Sequence, residues 1–394
     1  MLDHLASSTA GIIHRCEELF GDLHFASARA WKAEKPGRKV IGYMPYYVPR
    51  EIIHAAGALP LAILGGGDQL EVIHGDAYYQ SYICRIPRST IELGVSGRID
   101  FVDGMLFPSI CDVIRNLSGM WKLMFPSVGA RYVDLPQNFE DDVGGEFYRS
   151  EMNEIRAWLA ELTGRPVTDD AIRASIVLFN ENRRLVREAY TLRTDEPWNV
   201  PASELYLVMR AGLILPVEEH NQMLRAYLAS VRDVQRPIKD NSRVVVSGAF
   251  CEQPPLTLIK SIELSGCYIV DDDFLLVNRW ERSDVSTEGD PIAALAHSFL
   301  HDSHSTPPKY EPDQAKKGLY LVEAVRKHRA EGVIFAMASF CDPALLDRPM
   351  LQDILKKHGV PQIAFKFAEN SGQMQPIREQ AGTFSDSIKL WSAA

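Results

Sequence analysis

Short, continuous apolar runs bounded by Gly and Pro punctuate two stretches of the chain. Val40-Ile41-Gly42-Tyr43 and Leu59-Pro60-Leu61-Ala62-Ile63-Leu64 are apolar at successive rather than alternate positions, as expected of strands buried on both faces of a parallel sheet. Between them, Pro49 to Gly57 has Pro near its start and Gly at its end, which predicts a helix. A third run, Phe101 to Phe107, closes at Pro108 and gives way to a helical pattern from Asp112 to Met120. Such alternation predicts βαβ units. Upstream, residues 1–36 read as helix, with Leu19, Phe20, Leu23 and Phe25 along it, and the pattern breaks at Lys35-Pro36-Gly37.

From about 148 to 235 the strand signals vanish. Glu151 to Leu162, Asp169 to Thr191 and Ala202 to Arg232 carry Arg, Glu and Leu at three- and four-residue spacing, the signature of amphipathic helices. Strand signals return at Arg243 to Gly248, Tyr268 to Val270, Gly332 to Ala336 and Gln362 to Phe365, each followed by a helical stretch. The expected fold is α/β: two parallel-sheet α/β domains joined by a helical region. The expected units are an N-terminal helical segment (1–37), a first α/β domain (38–147), the helical region (148–240) and a second α/β domain (241–394). Asp302 to Pro312, rich in His, Ser and Pro, reads as a long loop.

Composition narrows the function. A net charge of −10 argues against a sequence-independent grip on nucleic acid and against a polybasic membrane anchor. No run approaches the ~18 apolar residues that span a bilayer. The start, Met1-Leu2-Asp3-His4, lacks the basic and apolar regions of a signal peptide. A cytoplasmic protein is expected.

Six cysteines in 394 residues are too dilute for a disulfide scaffold. Two of them share one context. Phe107-Pro108-Ser109-Ile110-Cys111-Asp112 and Ala338-Ser339-Phe340-Cys341-Asp342-Pro343 each follow a strand and precede a helix. Each sulfur is therefore expected at the carboxyl end of a parallel strand, where open α/β sheets place ligands. The positive helix end there favours a thiolate. Cys84 sits beside Arg85 and Arg88. The separations of 27 residues (Cys84 to Cys111) and 230 residues (Cys111 to Cys341) fit no compact ferredoxin or zinc-ribbon pattern. Buried packing and metal ligation both remain open on these grounds. Cys251, at a strand end, has weaker claims on the same cleft, and Cys16 and Cys267 read as packing residues.

Met44-Pro45-Tyr46-Tyr47-Val48-Pro49-Arg50-Glu51-Ile52-Ile53-His54-Ala55-Ala56-Gly57-Ala58-Leu59-Pro60 resembles the opening motif of the 2-hydroxyacyl-CoA dehydratase / benzoyl-CoA reductase family. So do the Cys84, Cys111 and Cys341-Asp342-Pro343 segments, and the stretch from Val244 through Pro254-Pro255-Leu256, Glu263, Gly266 and Asp271-Asp272-Asp273 resembles the family's second α/β domain. The resemblance runs from about residue 40 to the C-terminus. It implies that Cys84, Cys111 and Cys341 hold a [4Fe–4S] cluster at the cleft between the α/β domains, with one iron left to a non-cysteine ligand. Size and detail resemble the smaller catalytic-core subunit of the family's ATP-dependent reductases. The implied activity is a ferredoxin-dependent, ATP-coupled reduction in which low-potential single electrons enter an aromatic acyl-CoA (benzoyl-CoA) and yield a cyclic dienoyl-CoA. The implied partners are a larger homologous catalytic-core subunit, a two-subunit ATP-hydrolysing activator and ferredoxin. Tyr46, Tyr47 and Glu51, within the opening motif, are the substrate-binding candidates.

Two alternatives accompany this reading: a 2-hydroxyacyl-CoA dehydratase component (a lyase), and a non-catalytic iron–sulfur relay or scaffold. Against the lyase, Pro45 stands where dehydratase-type members tend to carry Ser or Cys, and the C-terminal acidic and Arg motif is loosely kept as Glu369, Arg378 and Glu379. Gly65-Gly66-Gly67 has no following Lys-Ser/Thr and fails as a phosphate-cradling P-loop. ATP hydrolysis is therefore expected elsewhere. His297 and His301 are four apart, but Ser298 stands where a zinc-protease motif needs Glu. With His304 they read as a surface cluster.

Overall fold

The computed structural model describes residues 8–44, 46–248, 254–275, 279–303, 313, 316–368 and 374–392. Pro45, Cys251, His304, Glu369 and most of the Asp302–Pro312 segment lie outside the described residues.

Two helices, α1 (Thr9–Gly21) and α2 (Ala26–Ala33), precede the first sheet. The sequence pattern reads them as one. They separate because the Asp22 carboxylate accepts the N–H groups of His24 and Ala26 while Phe25 turns left-handed (φ 53°). The first sheet contains β1 (Lys39–Tyr43), β2 (Ala58–Ala62), β3 (Gly104–Pro108) and β4 (Gly129–Val133). Its helices are α3 (Arg50–Ala55), α4 (Arg85–Val95) and α5 (Asp112–Met124). The sequence pattern misses β4. Gly-Ala-Arg-Tyr-Val is an edge strand, only its last residue fully buried, so it lacks the continuous apolar run of its neighbours.

The middle of the chain is helical: α6 (Glu146–Thr163), α7 (Asp169–Asp195), α8 (Ala202–Ala211) and α9 (Val217–Val231). The single helix expected from Ala202 to Arg232 is in fact two. Its periodicity is continuous, but Gly212 and Pro216 divide it. A Cβ on Gly212 would meet the His220 ring at 2.2 Å, so only glycine lets α9 fold back this closely. The second sheet contains β5 (Ser242–Ser247), β6 (Cys267–Asp272), β7 (Gly332–Ala338) and β8 (Gln362–Phe367). Around it lie α10 (Leu256–Leu264), α11 (Pro291–His301), α12 (Leu319–Lys327), α13 (Asp342–Lys357) and α14 (Met374–Ser392).

Both sheets are parallel and share one strand order, β2-β1-β3-β4 and β6-β5-β7-β8. In each, the first strand lies inside and the chain winds outward in both directions. Such a reversal opens a crevice beyond the carboxyl ends of the two inner strands. In the first sheet this is the exit of β1 and β3, and in the second the exit of β5 and β7.

Helix α7 fastens the halves together. Arg183 pairs with Glu51 of α3 and also with Glu281 from the second half, all three buried. Asn180 holds the backbone of Val285 by two bonds of 2.8 Å, and Arg193 pairs with Asp272 at 2.6 Å. Among the described residues no helix is long and apolar enough to cross a membrane.

Candidate metal centre

Cys111 lies just beyond β3. Ser109 N–H donates to the Val133 carbonyl at 2.9 Å, and the Ser109 hydroxyl accepts from Leu135 N–H at 2.8 Å. These bonds carry the strand exit over β4 and set Cys111 as the residue capping α5. Cys341 repeats the arrangement beyond β7. Ser339 N–H donates to Phe367 O at 2.7 Å, Phe340 turns left-handed (φ 66°), and Cys341 caps α13. The twin strand–Cys-Asp–helix contexts expected from the sequence are therefore both present.

Cys84 belongs to the same pattern, which its sequence context does not reveal: it caps α4. The loop leading to it is fastened to that helix. The Glu92 carboxylate accepts the N–H groups of Ile73, His74 and Gly75 at 2.9, 2.6 and 2.9 Å. Partial burial works against its charge, but these bonds hold the carboxyl below its usual range. Gly65 (φ +72°) comes so near that a Cβ would stand 2.1 Å from Ser89 Oγ. Gly65 thus serves close packing on the Cys84 helix. The arginines beside Cys84 are occupied, Arg85 on the Leu70 carbonyl and Arg88 on Asp76 at 2.9 Å.

In none of the three helices does the cysteine side chain form the capping bond. Cys84 and Cys111 are half-buried and Cys341 is buried. Burial pushes the Cys111 thiol up, the N–H groups of Val113 and Ile114 oppose this, and a charge on Cys341 adds to it. The Tyr79 hydroxyl is likewise pushed up, first by burial and then by Cys84 and Cys111. Cys111 thus feels Cys341, and Tyr79 feels both Cys84 and Cys111. The Tyr79 oxygen is buried with no hydrogen-bond partner among the described residues. Soft sulfur donors beside three positive helix ends suit a thiophilic, anionic group. Tyr79 had no sequence signal beyond lying in a tyrosine-rich stretch before Cys84.

Tyr46 and Tyr47 form the exit of β1. Both are buried and both have left-handed backbones (φ 88° and 55°), a cost of about 1–3 kcal/mol each. Aromatic packing offsets it. The Tyr47 ring lies 5.5 Å from Trp280 and 5.7 Å from Phe299, and the Tyr148 hydroxyl donates to the Tyr47 carbonyl at 3.2 Å. Glu51 is buried and its carboxylate is held by Arg183. The second carboxylate on Arg183, Glu281, has its pKa raised by burial, which Arg183 opposes and Glu51 reinforces.

A cavity of about 520 Å³ opens along the second sheet; Ser247, Asp271, Asp273, Arg279, Tyr320 and Ala344 line part of it. Ala344 lies in the first turn of α13, three residues beyond Cys341. The acidic run ending β6 is fully assigned: Asp271 to Arg279 at 2.8 Å, Asp272 to Arg193 at 2.6 Å, and Asp273 to Ser247 Oγ and Gly248 N–H at 2.8 Å each. Arg378 and Glu379 are exposed on α14.

Known proteins resemble this chain along nearly its whole length. A benzoyl-CoA reductase subunit of Thauera aromatica is 68% identical over 98% of this chain and 100% of its own length. The (R)-2-hydroxyglutaryl-CoA dehydratase beta subunit of Acidaminococcus fermentans is 29% identical over 91% of this chain and 94% of its own. The (R)-phenyllactyl-CoA dehydratase beta subunit of Clostridium sporogenes is 26% identical over 90% and 93%. The profile of the family described as 2-hydroxyglutaryl-CoA dehydratase, D-component, matches residues 45–388, and the chain belongs to that family.

Proposed function

We infer that this chain is a core subunit of a benzoyl-CoA reductase, a dearomatising oxidoreductase that adds two electrons and two protons to the aromatic ring of an acyl-CoA and gives a cyclic dienoyl-CoA. The observation that carries this reading is the gap between 68% identity to a reductase subunit and 26–29% to dehydratase subunits, each over nearly the whole chain.

In this reading Cys84, Cys111 and Cys341 hold a [4Fe–4S] cluster at the cleft between the two sheets. The fit rests on three thiols at three helix N-termini and on the unpartnered Tyr79 hydroxyl beside two of them. When bound, such a cluster supplies single electrons at low potential. The chain's own residues do the rest. The helix ends of α4, α5 and α13 stabilise the negative charge, and Tyr79 donates a hydrogen bond towards it. Tyr46 and Tyr47 provide a rigid aromatic wall on the substrate side. Glu51 is the third substrate-side candidate of the same motif, its carboxylate paired with Arg183. The cavity along the second sheet, which reaches Ala344 in the first turn of α13, is the proposed room for the benzoyl thioester.

ATP is hydrolysed outside this chain, because Gly65 packs on α4 and the run Gly65-Gly66-Gly67 lacks the Lys-Ser/Thr of a phosphate loop. The assembly is then heteromeric and cytoplasmic, with a larger homologous subunit, a two-subunit ATP-hydrolysing activator and ferredoxin as donor. Within the chain, residues 1–37, 38–147, 148–240 and 241–394 act as the helical segment, first α/β unit, helical bridge and second α/β unit.

The test is anaerobic co-purification with the partner subunits, followed by iron analysis, EPR and a substrate assay. Benzoyl-CoA should oxidise the reduced, ATP-supplied complex with net consumption of electrons. Turnover of a 2-hydroxyacyl-CoA without net oxidation, and no response to benzoyl-CoA, would establish the lyase instead.

A further inference from the structure

We propose that Asp141, His297 and His301 form a binding site for a divalent first-row transition ion, separate from the cysteines. His297 and His301 lie four residues apart on α11, so they share one face, and their ring centroids are 4.4 Å apart. The third group comes from 160 residues before His301. Asp141 opens the turn Asp141–Gly145 that leads into α6, and its Oδ1 stands 2.8 Å from His301 Nε2 and 4.0 Å from His297 Nδ1. One ligand atom from each residue lies within 4.8 Å of the other two. An ion bonded at about 2.0–2.2 Å to nitrogen and oxygen needs its ligand atoms roughly 3–3.5 Å apart, within reach of small side-chain rotations.

The chemistry selects the ion. Two imidazoles and one carboxylate suit zinc or ferrous iron, whereas calcium and magnesium prefer all-oxygen shells. Exposed Glu140 and Asp142 flank Asp141 and add negative charge. All three ligand side chains are exposed, which gives the ion a route in and leaves its remaining positions to water. From sequence the two histidines read as a surface cluster because nothing marked Asp141 as a third ligand.

The site joins the two elements that clamp the Tyr47 loop. The turn runs into α6, whose Tyr148 donates to the Tyr47 carbonyl, and α11 carries Phe299, whose ring lies 5.7 Å from Tyr47 and 4.7 Å from Tyr148. A bound ion therefore acts as a clip behind that loop.

The experiment uses the cluster-loaded complex, free of affinity tags and kept anaerobic so that the cysteines stay occupied. Zn²⁺ binding is measured by equilibrium dialysis, with iron content followed in parallel. The expected result is one zinc per chain with micromolar affinity. Asp141→Asn, His297→Ala and His301→Ala should each weaken it at least tenfold while iron stays unchanged. Zn²⁺, but not Mg²⁺, should raise the unfolding temperature of the unmodified complex and leave that of His297→Ala/His301→Ala unmoved. Equal zinc binding by the parent and this double variant, or binding by the parent only in the millimolar range, would overturn the site.

Discussion

Replacing Arg183 with Met roughly keeps length and volume but removes the cation that bridges Glu51 and Glu281. Their side chains are 3% and 2% exposed, and that of Arg183 is 6% exposed, so water does not take its place. Removing one partner of a buried ion pair costs about 3–5 kcal/mol. The sign of the pH dependence follows from the raised folded-state value. A carboxyl that binds its proton more tightly folded than unfolded imposes no penalty below its ordinary pKa. The penalty grows as pH rises towards the folded value. Arg183 opposes the raised pKa of Glu281, so in Arg183→Met it rises further, and the deficit relative to the parent should be largest near pH 8. It should shrink towards pH 5.5 by up to ~1.4 kcal/mol per unit for each proton taken up. Anaerobic urea unfolding of parent and variant at matched pH values, followed by tryptophan fluorescence, measures this, and Glu281→Gln added to Arg183→Met should restore more than half of the loss. A deficit equal at all pH values, or no recovery in the double variant, would refute the reasoning.

Cys84→Ser, Cys111→Ser and Cys341→Ser should each lower iron content and make the remainder oxygen-sensitive, as read by iron analysis and EPR; full iron in any one would remove that residue from the ligand set. Tyr79→Phe deletes a hydrogen bond worth about 1 kcal/mol, so the midpoint potential should fall by about 40 mV for a one-electron couple. An EPR-monitored redox titration that finds no shift means the hydroxyl does not reach the group. His220 is buried, and burial pulls its pKa down to about 4. Its Nε2 lies 3.0 Å from Val208 O, and Asn182 Nδ2 lies 2.9 Å from its Nδ1. Because the folded state resists the proton, about 3 kcal/mol of stability should be lost as pH falls from 6.5 to 4. His220→Gln should flatten that limb in acid-unfolding curves.

The parallel α/β character was legible because buried central strands are written as unbroken apolar runs. Val40 to Tyr43 and Gly332 to Ala336 could be little else. Edge strand β4 was not legible, since a half-exposed edge is under no such pressure. Cys111 and Cys341 announced themselves by a repeated local grammar, and Cys84 did not, since a long loop rather than a strand delivers it to its helix. Arg183 and Tyr79 lay beyond sequence reasoning for a different reason. Arg183 is one arginine among several on α7, and only the fold sets it between two acids from distant parts of the chain. Tyr79 becomes notable only through what its hydroxyl lacks.

The twin sheets have a consequence for biosynthesis. Cys84 and Cys111 emerge from the ribosome with the first sheet, while Cys341 follows 230 residues behind Cys111. At about 5–20 residues per second that lag is roughly 12–46 s. For that interval the nascent first half carries two half-buried thiols at helix ends and no third. Such a pair can bind zinc or oxidise, but it cannot complete a three-thiol site. On the proposed ligand set, iron loading would wait until β7 has been added beside β5. Oxidation of the two waiting thiols should therefore be easiest while the chain is still being made.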